Sequence, residues 1–221
     1  MLRIIYESLV LIVAFSMGLY AFRYMNLIYR IFFFQLLTYI LIYILSFMVQ
    51  LFPKMHNQNQ WVYNLAMPLE TGFLSWAAYE YFKSSKARIL IWIGLTLFLI
   101  AFFTEIFFKG ISVLSNHGFI VESGLALVLY LFVLNSQFTG KNHNWKRSPD
   151  IWISLGLVLY FAGVVPYFSL IHYLQISHPR INLFLFNFII IGLSNVRYLF
   201  LAVGFWFVRR NVLSKITGLN E

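Results

Sequence analysis

The chain has 221 residues, of which 61% are hydrophobic and only 10% are charged, and its formal net charge is +9. A soluble domain carries about 25% charged residues, so this composition excludes an ordinary soluble fold. The chain contains no cysteine, which excludes disulfides, thiolate nucleophiles and cysteine-based metal sites.

Seven runs of apolar residues fill the chain between short charged clusters. A helix needs about 20 apolar residues to cross the hydrocarbon core of a bilayer, and each run has roughly that length. We therefore predict an all-α membrane protein in which residues 1–221 form one domain, a seven-transmembrane-helix bundle. The predicted helices cover roughly residues 5–22, 31–52, 61–82, 89–107, 118–137, 151–174 and 182–208.

Most lysines and arginines lie in the segments that follow runs one, three, five and seven, for example Arg23, Lys86, Lys146 and Arg209. Because such residues stay on the cytoplasmic side of a membrane, we expect the N-terminus outside and the C-terminus inside a bacterial cytoplasmic (inner) membrane. The charge then indicates topology and contact with membrane lipids, and no basic domain indicates nucleic-acid binding. Glu7 interrupts the first run and no small-residue cleavage site follows it, so we expect a retained helix and no cleaved signal peptide.

The segments between the runs are too short to fold alone, so a ligand site must lie among the helices or at their ends. Ser148-Pro149-Asp150 is typical of a helix start, with proline in the first turn and an acid near the positive end of the helix dipole. The segment after run seven is too short for an effector domain, so we expect any signal to pass to a separate cytoplasmic partner. The sequence leaves homo-oligomer formation open.

Ionisable residues inside a membrane are costly and indicate functional sites by default. Glu70 is the strongest candidate, because it lies deep in the third run and two residues after Pro68, whose missing N–H allows a kink. Asn64, Thr71 and Ser75 form a polar stripe beside it. We predict a ligand or proton site around Glu70, Asn64 and Thr71. The structural alternative is a glutamic acid that only hydrogen-bonds the bundle together.

Further polar residues of the predicted outer half are candidates for the same site: Glu105, Glu122, His117 and His172. Glu105 and Glu122 fall near predicted helix ends, and the favoured structural alternative is that both side chains reach out to the membrane interface. The histidines have no metal-binding spacing, so we predict no metal site.

Arg197 is the second deep charge, in the inner third of predicted helix seven. The polar face around it is too wide to be turned toward lipid. We predict an inner polar network formed by Arg197, Glu80, Asn187, Ser194, Asn195 and Tyr198. The favoured interpretation is an Arg197–Glu80 ion pair that joins helices seven and three near the cytoplasm, and the alternative is an anion site or a gate.

Helix six carries Gly156, Tyr160, Gly163 and Tyr167 along one stripe. Small residues let membrane helices approach closely, so we expect tight packing on this stripe, with a tyrosine-lined pocket as the alternative. Helices one, two and four have few deep polar residues and are interpreted as mainly structural.

Catalytic signatures such as G-x-S-x-G, H-E-x-x-H or a Walker loop are missing from the sequence. Intramembrane hydrolysis needs an activated nucleophile or a metal, so we predict no catalytic residue and favour a role other than that of an enzyme. The seven helices and the expected termini resemble the topology of microbial rhodopsins. Those proteins attach retinal to a lysine in the middle of helix seven, where this chain has Arg197 and no lysine, so we expect no retinal Schiff base and no other cofactor.

Two stretches carry a second resemblance. Residues 59–64 (Asn-Gln-Trp-Val-Tyr-Asn) lead into Pro68-Leu69-Glu70, and residues 150–156 (Asp-Ile-Trp-Ile-Ser-Leu-Gly) lead into Tyr167-Phe168. They are similar to a family of small uncharacterised seven-helix inner-membrane proteins widespread in Bacteroidota. The resemblance implies the seven-helix fold and draws attention to Pro68–Glu70, but it brings no established activity.

Three functions fit these observations. We favour a receptor-like or accessory membrane protein that binds a small or lipidic ligand in the outer half of the bundle and signals through a cytoplasmic partner. The first alternative is a small transporter or proton-coupled channel, with Glu70 as the titrating group and Arg197 as a gate. The second alternative is an intramembrane lipid-modifying enzyme.

Overall fold

The computed structural model describes residues 2–51, 59–139 and 145–217, with side chains from Leu9 onward. The side chain of Glu7 lies outside the described residues. So do most of the loop expected before helix three, part of the loop expected before helix six, and residues 218–221.

Over the described residues the chain forms seven long helices, and each of them overlaps one of the apolar runs. They are α1 (Leu2–Ala21), α2 (Leu27–Leu51), α3 (Gln60–Tyr81), α4 (Ser85–Lys109), α5 (Asn116–Thr139), α6 (Pro149–Ser177) and α7 (Pro179–Thr217). Short 3-10 turns at Phe22–Tyr24 and Trp145–Arg147 follow α1 and precede α6. No strand occurs in the described parts of the chain.

Five of the described helices are long and apolar enough to cross a membrane, namely α2, α4, α5, α6 and α7. α1 contributes a shorter apolar stretch, Leu9–Tyr24. Large apolar side chains cover the outside of the bundle; Trp92 is 62% exposed, Phe103 60% and Phe107 84%. An extended apolar surface of this kind is unfavourable in water and is suited to lipid. The protein is therefore a multi-pass helical membrane protein.

The helices alternate in direction, so the connections gather at two ends of the bundle. Tyr29, near the start of α2, donates a hydrogen bond to Asp150 at the start of α6 (2.9 Å). Tyr81 and Ser136, near the ends of α3 and α5, are hydrogen-bonded at 2.8 Å. We call the end that contains these residues the inner end, because it is the one predicted to be cytoplasmic, and the opposite end the outer end.

α6 lies between α5 and α7 and packs closely against both. A Cβ atom added to Gly156 would lie 2.7 Å from Cβ of Phe200, and one added to Gly163 would lie 2.5 Å from Cδ1 of Leu193. The first contact, with a Cβ atom, excludes any residue but glycine, whereas the second requires the end of the Leu193 side chain to move. The prediction of tight packing on this stripe of helix six is confirmed.

The middle of α7 departs from regular α-helical geometry. Residues Pro179–Leu185 and Ser194–Thr217 are α-helical, whereas Phe186–Leu193 between them form a π-helix. The segment ends directly before the turn that carries Arg197. π-Helical segments are rare and frequently occur at functional sites.

Candidate functional site

A buried ion pair joins α3 and α7 at the centre of the bundle. Nη1 of Arg197 lies 2.8 Å from Oε1 of Glu70, and the two side chains are only 6% and 11% exposed. The expected Arg197–Glu80 pair is wrong, because Glu80 instead accepts a hydrogen bond from Trp76 on its own helix (3.4 Å). α7 begins before and ends after the predicted helix seven, so Arg197 lies at the middle of a 39-residue helix, far from the last turn of α3.

Three tyrosines enclose the guanidinium of Arg197. Its Cζ atom lies 4.8 Å from the ring centroid of Tyr39 on α2, 4.1 Å from that of Tyr160 on α6 and 5.1 Å from that of Tyr198 on α7. The guanidinium also donates hydrogen bonds to the hydroxyl groups of Tyr39 and Tyr198, both at 3.3 Å. Aromatic faces attract a desolvated cation, so this cage stabilises a charge that lipid alone would not tolerate.

Glu122 on α5 is the second acid of this site. Its side chain is 1% exposed, and neither carboxyl oxygen has a hydrogen-bond partner among the described residues. It interacts electrostatically with Glu70 and Arg197, and the Thr71 hydroxyl is close enough to interact with it. The Thr71 hydroxyl also donates to the carbonyl of Met67 (2.9 Å), so a hydrogen bond to Glu122 would compete with that one.

The site has one positive charge and two acids. Arg197 can balance one carboxylate, and its short contact is with Glu70. A second carboxylate at Glu122 would be buried without a counter-charge of its own, which costs several kcal/mol. The arrangement is therefore suited to holding an exchangeable proton on Glu122.

The space beside Arg197 is small. A cavity of about 10 Å³ is bordered by Gln35, Tyr39, Arg197 and Tyr198 and by five apolar side chains. That volume accommodates about one water molecule, whereas sites for organic ligands measure about 300–1,000 Å³. The space is therefore too small for an organic ligand.

Glu105 belongs to a separate network at the outer end. Its carboxylate contacts Nζ of Lys109 (2.6 Å), accepts hydrogen bonds from the hydroxyl of Ser115 (2.9 Å) and the backbone N–H of His117 (2.7 Å), and lies 3.2 Å from Nδ1 of His117. The expectation that Glu105 and Glu122 reach out to the membrane interface is wrong for both, since their side chains are buried. Glu105 instead fixes the connection between α4 and α5.

Asn64 on α3 also binds the segment that connects α4 and α5. Its amide nitrogen donates to the carbonyls of Ile111 and Val113, both at 2.7 Å, and its oxygen accepts the backbone N–H of Ser115 (3.0 Å). Each of these bonds satisfies a backbone group of an irregular segment, which would otherwise be costly at a buried position. Asn64, Glu105 and His117 thus form a loop-anchoring network that is distinct from the Glu70–Arg197 site.

The other predicted residues do not all converge. His172 and Asn187 are exposed, and the Ser194 hydroxyl donates to the carbonyl of Ile190 on its own helix. Asn195 is buried, and its side-chain oxygen has no hydrogen-bond partner among the described residues. Among the residues of the predicted inner polar network, Arg197 and Tyr198 therefore belong to the central site.

Sequence reasoning missed the contribution of α2. That helix was interpreted as structural, yet its Tyr39 contacts Arg197 and its Gln35 donates to Tyr39 at 3.3 Å. The available signal was Gln35 and Tyr39 lying one turn apart in an otherwise apolar helix.

No family model, no curated protein and no solved structure matches the chain. The resemblance to the Bacteroidota family stays a prediction, and the function has to be inferred from the site itself.

Proposed function

We propose that the protein is a small proton-coupled transporter or channel of the bacterial cytoplasmic membrane, with seven crossings, an outside N-terminus and a cytoplasmic C-terminus. The observation that carries this proposal is Glu122, a fully buried acid that forms no salt bridge among the described residues, beside the Glu70–Arg197 pair. Intramembrane acids of this kind mark proton relays. The seven described helices and the distribution of lysine and arginine support the topology.

In this proposal the two acids have different roles. Glu122 binds and releases the proton, and Glu70 keeps Arg197 neutralised while Glu122 is protonated. When Glu122 loses its proton, Arg197 can be shared between the two carboxylates. The tyrosine cage keeps the guanidinium in place, so the change in charge is confined to one group.

A reconstituted system tests this proposal. The purified protein is placed in liposomes that contain a pH-sensitive dye, and a potassium diffusion potential drives protons inward. We expect proton flux above that of protein-free liposomes, and we expect Glu122→Gln to abolish it because an amide cannot carry the proton. Glu80→Gln is the matched control, since Glu80 is an acid on α3 that contacts only Trp76 among the interactions described. Equal flux in wild type and Glu122→Gln would refute the role of Glu122.

A second candidate is a receptor-like or accessory protein that signals through a separate cytoplasmic partner. The π-helical segment Phe186–Leu193 favours it, because a change there from π- to α-helical geometry would rotate Arg197 relative to α3. In this case protonation of Glu122, or a small ligand, would alter the inner end of α7. Wild-type liposomes without proton flux, together with a partner that co-purifies in a pH-dependent manner, would favour this candidate over transport.

A further inference from the structure

A second polar cluster lies at the inner end of the bundle, around Asp150. Its carboxylate accepts hydrogen bonds from the hydroxyl of Tyr29 on α2 (2.9 Å) and the amide of Gln137 on α5 (3.4 Å). Gln137 also donates to the hydroxyl of Tyr81 on α3 (2.6 Å), and its oxygen accepts from Ser148 (3.2 Å). Asp150, on α6, is thus linked directly to α2 and α5, and through Gln137 to α3, at the end of the bundle opposite to the loop-anchoring network.

The surroundings of Asp150 hold few charges of their own. The ionisable groups that face it are Tyr29, Tyr81 and, across the neighbouring cavity, Tyr130. Lys146 and Arg147 precede it in the 3-10 turn, with Nζ of Lys146 5.5 Å from the ring of Trp145. No short ion pair of Asp150 is found among the described residues, so its interactions are hydrogen bonds from neutral donors.

Two small cavities lie between this cluster and the central site. The first, of about 10 Å³, borders Gln35, Tyr39 and Arg197. The second, also about 10 Å³, borders Asp150 and Tyr81. Phe32 and Ile153 line both cavities, and these side chains are only 4% and 3% exposed. A thin apolar layer is therefore all that separates two spaces, each large enough for one water molecule.

We propose that Asp150 is a second proton-binding site and that Phe32 and Ile153 form the barrier between it and the central site. The inference rests on the proposed proton-coupled function and adds the inner half of the pathway. Asp150 takes a proton from water at the inner end. When the Phe32 ring moves aside, water in the two cavities carries that proton to the space beside Arg197, and Glu122, which interacts electrostatically with Arg197, takes it up from there. Asp150 loses the proton that Glu122 gains, and bulk water restores it.

The packing of Phe32 indicates how the barrier is held. Its ring lies 6.0 Å from that of Tyr130 in a tilted arrangement, and the Tyr130 hydroxyl donates to the carbonyl of Leu74 on α3 (3.0 Å). α2, α3 and α5 are therefore linked at the layer, so a small shift between these helices would change the width of the gap.

Three variants in the liposome assay test this inference. Asp150→Asn should lower proton flux about a hundredfold, the low end of the contribution of a positioned proton-transfer group. Tyr29→Phe keeps the ring but removes the hydrogen bond to Asp150, and it should lower the flux less. Phe32→Ala should raise the flux, because it removes the barrier. Phe98→Ala is the matched control: it deletes an equally buried ring from a separate apolar cluster with Met67 and Phe102 and should not raise the flux.

An infrared pH titration of the protein in membranes supplies a readout other than transport. The wild type should show two titrating carboxyl signals that are lost separately in Glu122→Gln and Asp150→Asn, whereas Glu80→Gln should keep both. If Glu122→Gln abolishes the flux while Asp150→Asn, Tyr29→Phe and Phe32→Ala leave it unchanged, the second site and its barrier are refuted and the proposed function stands. If the wild type carries no flux, the proposed function fails, and loss or retention of a carboxyl signal in Asp150→Asn still decides whether Asp150 binds a proton.

Discussion

Arg197 on α7 and Glu70 on α3 form an ion pair of 2.8 Å whose two side chains are almost completely shielded. A buried pair of this kind gives little net stability compared with apolar packing, but breaking it leaves an uncompensated charge. A third ionisable group, Glu122, lies beside the pair. Substituting Arg197 and substituting Glu70 therefore leave different sets of charged groups in the site.

Substitutions of the pair should therefore have unequal effects. Arg197→Gln leaves two buried acids without a cation and should lower the free energy of unfolding by about 3–5 kcal/mol. Glu70→Gln should cost less, because Glu122 can ionise and take over the charge of Arg197. Thermal unfolding of the purified variants in detergent, followed by circular dichroism, measures the order. Equal losses for the two variants would contradict a shared role of the two acids.

The close approach of α6 to α7 behind Arg197 gives a second prediction. In Gly156→Ala the new Cβ would lie 2.7 Å from Cβ of Phe200 and 3.3 Å from the carbonyl oxygen of Arg197. Overpacking of this kind costs about 1–3 kcal/mol, and it should also displace the Arg197 backbone and reduce proton flux.

Gly124→Ala is the control for that substitution. No atom lies within 4 Å of the position a Cβ would take at Gly124, so alanine should stabilise α5 by up to about 1 kcal/mol through its higher helix propensity. If Gly156→Ala and Gly124→Ala unfold at the same temperature, the packing between α6 and α7 is not as tight as the distances at Gly156 indicate.

The positions of the helices could be predicted from the sequence because apolar runs of membrane length, separated by charged clusters, have few other interpretations. The depth of Glu70 followed from its position in such a run. The partner of Arg197 could not be predicted, because α7 extends beyond both ends of the apolar run, so Arg197 lies at the middle of the helix and not in its inner third. The burial of the Glu122 side chain could not be predicted, because it depends on the packing of α3 against α5 and not on the distance of Glu122 from the helix end.

A substitution in the loop-anchoring network should lower the stability of the protein without changing the proton flux through the central site. Asn64→Ala removes three hydrogen bonds to the segment between α4 and α5, and the unsatisfied backbone groups should cost about 1–3 kcal/mol. Hydrogen exchange of residues 110–115 should become faster, while proton flux should stay near the wild-type value. A loss of flux as large as that of Glu122→Gln would contradict the division into two networks.

The topology can be tested directly because the chain has no cysteine, so a single introduced cysteine is the only thiol. Ser112 lies in the exposed connection between α4 and α5, and Ser84 lies in the exposed connection between α3 and α4, at the opposite end of the bundle. With the N-terminus outside, a membrane-impermeant maleimide added to intact spheroplasts should label Ser112→Cys and leave Ser84→Cys unmodified until the membrane is opened. The reverse pattern would invert the orientation, and the Asp150 cluster would then face the outside. Equal labelling of both positions before the membrane is opened would contradict the placement of these connections on opposite sides.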